Sequence, residues 1–229
     1  MEKKNTLVWS DHPENRLDST KRLLSRLSLA VRAAQLEIFM REFKPNEKTR
    51  LLDVGISPIE DLPDTNFFEK HYPFPASLTA IGVEDCSGLQ AKYSPITVVQ
   101  SKAGETLPFT DGVFDIVTSW ATLEHVGSFE KQAFFLRECL RIGKKVFITV
   151  PYRGCVYEPH SGFFFVHWLP LGLFRKICAF RGKTFWADPN NLNPLFVRDI
   201  QRMTQDVSVR IRVYRMFNLL SSHLIITKT

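Results

Sequence analysis

Five short stretches of this chain are continuous apolar runs rather than alternations of apolar and polar residues. They read RLLDV, SLTAIGVE, ITVVQ, FDIVTS and KKVFITV, beginning at residues 50, 77, 96, 114 and 144. Continuous apolar runs are typical of parallel strands that are covered on both faces, and the segments between them are long enough for helices or crossovers. The pattern therefore predicts an α/β fold with a doubly wound, Rossmann-like, mostly parallel sheet.

The C-terminal part of the chain completes this sheet after an interruption. Two further strands, VSVRIRVYR and SSHLIITK, raise the count to seven, and the alternation in the first of them predicts an antiparallel edge. The segment before them is rich in proline and aromatic residues, which predicts a lid or substrate insertion after strand 5. We expect one domain over 1–229, with an N-terminal helix (18–44), a cofactor-binding core (49–151), the insertion (152–195) and a C-terminal helix and strands (196–229).

The positive charge of the chain is concentrated in its second half. The net charge is +6, but residues 141–215 hold 13 Lys/Arg against 4 Asp/Glu, which is +9 for that segment. A basic, aromatic half favours an anionic partner such as a phosphorylated or lipid-linked substrate, a membrane surface or nucleic acid. A solvated basic face over an aromatic core is the alternative interpretation.

The cysteines and the N-terminus bear on where the protein works. Its four cysteines are scattered without a CxxC pair, which favours reduced thiols. The first 16 residues lack a secretory apolar region, and the most apolar later stretch (163–174) is too short to span a bilayer. We expect a cytoplasmic protein with possible peripheral contact at the inner membrane surface, and the sequence leaves its oligomeric state open.

The loop after the first strand argues against a phosphate-bearing cofactor. A dinucleotide site needs GxGxxG, but this spacing places Gly55, Ser57 and Glu60 here, and a glutamate beside a pyrophosphate is electrostatically unfavourable. S-adenosylmethionine carries a positive sulfonium and ammonium, which suit Asp53. Gly55 permits close approach of the backbone. Glu84, or the adjacent Asp85, ends the second strand, where a carboxylate can accept hydrogen bonds from both ribose hydroxyls.

Four motifs, in order, resemble the class I S-adenosylmethionine-dependent methyltransferases, in the branch called type 11. They are LLDVG, AIGVED, GETLPFTDGVFDIVTSWATLEHV and FLRECLRIGKKVFITVP, within residues 49–151. The resemblance implies an enzyme that uses S-adenosylmethionine and has this fold. It implies that the methionine and ribose end is lined by Asp53, Gly55 and Ser57, the ribose bound by Glu84, the adenine flanked by Gly104 and Glu105, and the methionine faced by Ser119 and Trp120.

Two positions depart from the family pattern. Ser57 stands where the first motif has a second glycine, and Ala103 where an aspartate accepts a hydrogen bond from the adenine amine. Loss of one such hydrogen bond costs about 1 kcal/mol, or about fivefold to tenfold in affinity. A degenerate, non-catalytic binding protein on this fold is therefore an alternative function.

Three histidines are candidates for roles at the acceptor. His125, in the EH dipeptide after the fourth strand, has the pKa range of a general base, although it can equally be a loop histidine hydrogen-bonded to backbone. His160 and His167 are candidate substrate-binding residues of the insertion. With Glu158 they do not form a zinc-binding spacing, so no metal is expected.

The predicted activity is methyl transfer by in-line displacement to a small or lipid-linked, anionic acceptor, for which positioning supplies much of the rate. A nucleic-acid methyltransferase is the less favoured alternative. Amino-methylating enzymes of that kind carry D/N-P-P-Y/F/W after the fourth strand, where this chain reads SWAT. A nucleic-acid partner is therefore unlikely on the sequence.

Overall fold

A seven-stranded sheet forms the centre of the protein. The computed structural model describes residues 19–60, 62–216 and 220–229. The sheet strands are β1 (Leu51–Val54), β2 (Leu78–Gly82), β3 (Thr97–Gln100), β4 (Phe114–Trp120), β5 (Gly143–Pro151), β8 (Arg210–Met216) and β9 (Leu220–Lys228). Their spatial order is β3-β2-β1-β4-β5-β9-β8, with β9 antiparallel to both of its neighbours and the first five strands parallel. The predicted fold class, including its antiparallel C-terminal edge, is confirmed.

Helices cover both faces of the sheet. They are α1 (Ser19–Phe43), α2 (Phe67–His71), α3 (Ser87–Lys92), α4 (Phe129–Ile142) and α7 (Val197–Met203). The predicted helices after the fourth strand and near residue 200 are present. Two short helices precede them: α2 lies between β1 and β2, and α3 lies between β2 and β3. None of the helices in the described ranges is long and apolar enough to cross a bilayer.

An aromatic cluster fixes α1 against the sheet. The Phe39 side chain is fully buried, and its ring contacts those of Phe43, Phe68, Trp120 and Phe147 at centroid distances of 5.3 to 6.2 Å. Edge-to-face pairs of this kind add to the stabilisation from apolar burial. The opposite face of the sheet packs against α4 and α7 through a second apolar cluster.

The insertion after β5 folds over the carboxyl end of the sheet. It contains β6 (Tyr157–Glu158), β7 (Phe163–Phe164), α5 (Leu171–Phe180) and α6 (Thr184–Ala187), with a small apolar core of its own. Its two ends meet at a bridge between Tyr152 and Leu195, where the Arg153 amide donates to the Leu195 carbonyl oxygen at 2.9 Å. These contacts favour treating 152–195 as one unit, and the division of the chain into parts stays a proposal.

Candidate cofactor and acceptor site

The loops after β1 and β4 touch at the point where the strand order reverses. Gly55 has φ +122°, and a Cβ placed on it would lie 2.1 Å from Thr122 Oγ1. In doubly wound sheets, ligands bind in the crevice at this reversal. Only a glycine fits here because the Thr122 side chain occupies the space of a Cβ, and the close approach of Gly55 to a ligand stays a prediction.

Two buried carboxyl groups lie together at the end of β1. Asp53 accepts a hydrogen bond from Thr118 Oγ1 at 2.6 Å, and Glu69 from α2 faces it. Burial, and then the neighbouring Glu69 carboxylate, raise the pKa of Asp53 well above its usual range. Glu69 Oε1 is buried and makes no hydrogen bond to any described residue.

This acid pair matches the charge of S-adenosylmethionine. The sulfonium and ammonium of that cofactor would supply the positive charge that the pair lacks, since buried carboxylates are costly without a partner. Asp53 was predicted for this role from its position before Gly55. Glu69 was missed, because no motif distinguishes it from a solvated acid on a short helix.

The Ser57 backbone is joined by two hydrogen bonds to the side-chain amide of Asn66, the residue before α2. The Ser57 N–H donates to Asn66 Oδ1 at 3.0 Å, and Asn66 Nδ2 donates to the Ser57 carbonyl oxygen at 2.8 Å. Glu60, three residues later, contacts Lys92 and the Tyr93 hydroxyl, which hold its pKa down to about 2 against the effect of burial. The two hydrogen bonds to Asn66 hold the loop in place at Ser57, where the family pattern has a second glycine. The charge of Glu60 is compensated by Lys92. Asp61, another acid of this loop, lies outside the described residues.

The two acids after β2 have different surroundings. Glu84 is half-buried, and burial raises its pKa. Asp85 is exposed and its Oδ1 accepts a hydrogen bond from the Ser87 N–H at 3.0 Å, at the start of α3. Of the two predicted residues, Glu84 has the environment of a ribose ligand, and Asp85 has that of a helix cap.

We expect Glu84→Ala to weaken S-adenosylhomocysteine binding by about tenfold to a hundredfold, because two charge-assisted hydrogen bonds to the ribose would be lost. Calorimetric titration measures this loss. The matched control is Asp85→Ala, which should change the affinity less than about threefold because its side chain serves the start of α3. Equal losses in both variants would contradict the separation of their roles.

The remaining predicted cofactor residues fall into two groups. Gly104 (φ +78°) and Glu105 are exposed in the loop after β3, where a Cβ on Gly104 would meet open space. Ser119 and Trp120 are buried: the Ser119 hydroxyl donates to the Val54 carbonyl oxygen at 2.7 Å, and the Trp120 ring stacks on Phe68. The first pair is accessible to an adenine. The second pair holds β4 to β1 and to α2, so its predicted contact with the methionine part stays a prediction.

A tight turn after β4 brings polar side chains inward. Ala121 has φ +54°, a conformation in which non-glycine residues are strained, and a single helical turn follows at Leu123–His125. His125 is partly buried, and its Nδ1 lies 2.7 Å from the Asn191 carbonyl oxygen. Burial lowers the pKa of His125 to about 3. The contact with Asn191 is the backbone hydrogen bond that the alternative interpretation of His125 predicted. The lowered pKa makes His125 a weak base in this environment.

His160 and His167, predicted together, lie apart. His160 Nδ1 is 2.6 Å from Glu158 Oε1, and its ring is 4.8 Å from that of His125. His167 is fully buried inside the insertion, with Nε2 2.9 Å from the Cys155 carbonyl oxygen. The structure joins His160, but not His167, to the turn that carries His125.

A cleft lies between this turn and the insertion. It is lined by Glu124, Tyr152, Arg153, Cys155, Glu158, His160, Leu192 and three prolines. Arg153 is buried, and its Nε and Nη2 donate to the carbonyl oxygens of His167 and Leu169 at 2.8 and 2.6 Å. No carboxylate among the described residues lies within 4 Å of it. Tyr152 and Arg153 were missed, because their place in the cleft depends on the fold of the insertion.

Residues 77–146 match the family model of a methyltransferase domain. No curated protein matches the sequence. The matched segment runs from β2 to β5 and so includes the strand ends that carry Glu84, Ser119 and His125.

Solved structures share the fold at low sequence identity. YcgJ from Bacillus subtilis is 13% identical with a TM-score of 0.54, over 85% of this chain and 97% of that one. Magnesium protoporphyrin IX methyltransferase from Synechocystis, solved with S-adenosylhomocysteine, is 9% identical with a TM-score of 0.55, over 93% and 89%. Geranyl diphosphate C-methyltransferase from Streptomyces coelicolor, solved with Mg²⁺, is 13% identical with a TM-score of 0.54, over 86% and 77%. The chain is therefore similar to a methyltransferase domain over residues 77–146, and it shares its fold with these solved structures.

Proposed function

We propose that this methyltransferase acts on a small or lipid-linked, anionic acceptor that binds in the cleft between the turn after β4 and the insertion. The observation that carries the proposal is Arg153. Arg153 lines the cleft and is buried, and its guanidinium donates hydrogen bonds to two carbonyl oxygens and lies over the Phe196 ring at 4.7 Å, without an ion pair to an acid among the described residues. A buried cation without a carboxylate partner favours an anionic ligand, since pairing would offset the cost of its burial.

The exposed face of the insertion supports a lipid-linked acceptor. Phe164, Phe165, Trp168 and Phe180 are 45 to 88% exposed, and Lys176 and Arg181 lie near them in the sequence and are exposed too. Exposed aromatic residues beside basic ones are typical of surfaces that contact membranes. Phe164, Phe165 and Trp168 are thus not part of the buried core, whereas His167 between them is, and peripheral membrane contact stays a proposal.

The residues around the cleft would act mainly by positioning. S-adenosylmethionine, when bound, supplies an electrophilic methyl group, and an acceptor atom attacks it in line as S-adenosylhomocysteine leaves. Arg153 would bind the anionic group of the acceptor, and the apolar walls would exclude water. His125, which we predicted as a base, would at most accept a proton late in the reaction, because its pKa lies far below neutrality.

The test is methyl transfer from radiolabelled S-adenosylmethionine to fractions of a cell extract separated into lipid, anionic and neutral pools. We expect a labelled product in the anionic or lipid pool. Arg153→Met should lower kcat/KM for that acceptor by about tenfold to a hundredfold, through loss of a charge-assisted contact. S-adenosylhomocysteine affinity should be unchanged in this variant.

The control for Arg153 is Arg181→Met, which removes an exposed cation of the same insertion and should leave kcat/KM within about twofold. Thermal unfolding of both variants separates a change in binding from a change in fold. Binding of S-adenosylhomocysteine without methyl transfer to any fraction would favour the non-catalytic alternative. Product in the neutral pool alone would contradict the anionic acceptor.

A further inference from the structure

Three side chains from two separate segments converge at the mouth of the cleft. Glu124 and His125 belong to the turn after β4, and His160 follows β6 in the insertion. One potential ligand atom from each of the three lies within 4.8 Å of the others. Donors bound to one tetrahedral ion at about 2.0–2.1 Å lie about 3.4 Å apart, so small side-chain rotations would close the set around an ion.

Both histidines are oriented through their Nδ1 atoms. The Asn191 carbonyl oxygen, 2.7 Å from His125 Nδ1, can only accept a hydrogen bond, so Nδ1 carries the proton and Nε2 of the neutral ring carries the lone pair. Glu158 Oε1 lies 2.6 Å from His160 Nδ1, and that carboxylate also accepts hydrogen bonds from the His160 and Ser161 N–H groups. Histidines that bind metals through Nε2 are held in this way, by a carbonyl oxygen or a carboxylate at the other nitrogen.

Glu124 lacks the partners that a buried carboxylate requires. It is 1% exposed, and neither carboxylate oxygen makes a hydrogen bond to a described residue. Its Oε1 lies 3.5 Å from His125 Nε2, the atom that carries the lone pair. The nearby cation Arg32 is itself paired with Asp64 at 3.4 Å. A cation between Glu124 and the histidines would offset the cost of burying the Glu124 carboxylate.

We propose that Glu124, His125 and His160 bind one first-row divalent transition-metal ion, with Zn²⁺ as the representative. Two imidazoles and one carboxylate are a donor set that suits such ions and leaves at least one coordination position open. Two of the three ligands, Glu124 and His160, also line the cleft with Tyr152 and Arg153. An oxygen of the acceptor would coordinate at the open position, a step that rests on the proposed function, whereas the metal site itself does not.

The test uses the full chain, free of affinity tag and stripped with chelator, titrated with Zn²⁺ by calorimetry and with Co²⁺ by visible absorption. We expect one ion per chain and the spectrum of a four- or five-coordinate Co²⁺ site. Glu124→Gln and His160→Gln should each weaken Zn²⁺ binding by about a hundredfold. Glu158→Gln, which loosens His160 without removing a ligand, should weaken it by about tenfold.

His71→Gln is the matched control. His71 is exposed on α2, with Nδ1 2.8 Å from the Phe67 carbonyl oxygen, and it lies outside the cluster. This variant should bind Zn²⁺ like the unaltered protein. Thermal unfolding and S-adenosylhomocysteine titration of every variant identify loss of fold. An unaltered protein without a stoichiometric ion, or one whose binding persists in Glu124→Gln and His160→Gln, would overturn the proposal.

Discussion

A Gly55→Ala variant is expected to lose about 2–5 kcal/mol of unfolding free energy and at least about tenfold in S-adenosylhomocysteine affinity. The new Cβ would lie 2.1 Å from Thr122 Oγ1 and 2.7 Å from its Cγ2, and φ is +122°. The loop after β1 must then move away from the turn after β4. That movement disturbs the cofactor loop and the turn that carries Glu124 and His125. Chemical denaturation and calorimetric titration measure the two effects.

The variant Gly182→Ala is the control that measures the cost of a positive φ without the steric clash expected for Gly55→Ala. Gly182 also has a positive φ, +74°, but a Cβ there would meet no atom within 4 Å, and it lies in the insertion. It should show only the conformational cost, about 1–2 kcal/mol, and normal affinity. Adding Thr122→Ala to Gly55→Ala should restore part of the loss, because two of the three closest atoms are removed. If Gly55→Ala behaves like Gly182→Ala, the two loops do not pack as described.

Phe39→Ala is expected to lower the free energy of unfolding by about 3–5 kcal/mol, the range for deleting a buried aromatic ring. Phe39 is fully buried against four other aromatic side chains that join α1 and α2 to β4 and β5. The cavity would loosen α1 from the sheet. Denaturation by urea, followed by circular dichroism, gives the change in unfolding free energy.

The control for this substitution is Phe180→Ala, since the Phe180 side chain is 88% exposed on the insertion. Removing it should change the free energy of unfolding by no more than about 0.5 kcal/mol. A loss below about 1 kcal/mol for Phe39→Ala would indicate that α1 contributes little to the stability of the core.

The spacing of apolar residues predicts α1 but does not determine which side of the helix is buried. Helical spacing of Leu27, Val31, Ala34 and Ile38 predicts a helix that extends to about residue 42, and the structure has one that ends at Phe43. Val31 of this stripe is buried, but the other buried side chains described for the helix are Gln35, Phe39 and Phe43, and Leu27 is 37% exposed. Several apolar stripes are available on this helix, and its rotation follows from where the Phe39 ring fits among its aromatic partners.

The candidate site was predictable where it follows directly from a strand. Asp53, Gly55 and Glu84 lie at or just beyond carboxyl ends of parallel strands, so a strand prediction is enough to place them at the same edge. Glu69 and Asn66, which complete that region, come from α2 and its first turn. The residues around Glu69 and Asn66 in the sequence do not indicate these contacts with the loop after β1, because the contacts depend on how α2 packs.

The sequence by itself determined the fold class, the order of the strand-end motifs and the resemblance to a methyltransferase domain, because strand burial and strand-end loops leave local patterns. The tertiary structure alone decided which polar groups meet. Glu124 and His160 are separated by 36 positions, and Asp53 and Glu69 by 16. Such contacts arise from crossovers and from the return of the insertion over the sheet. A pattern along the chain reports the burial of one element and does not report its distance from another.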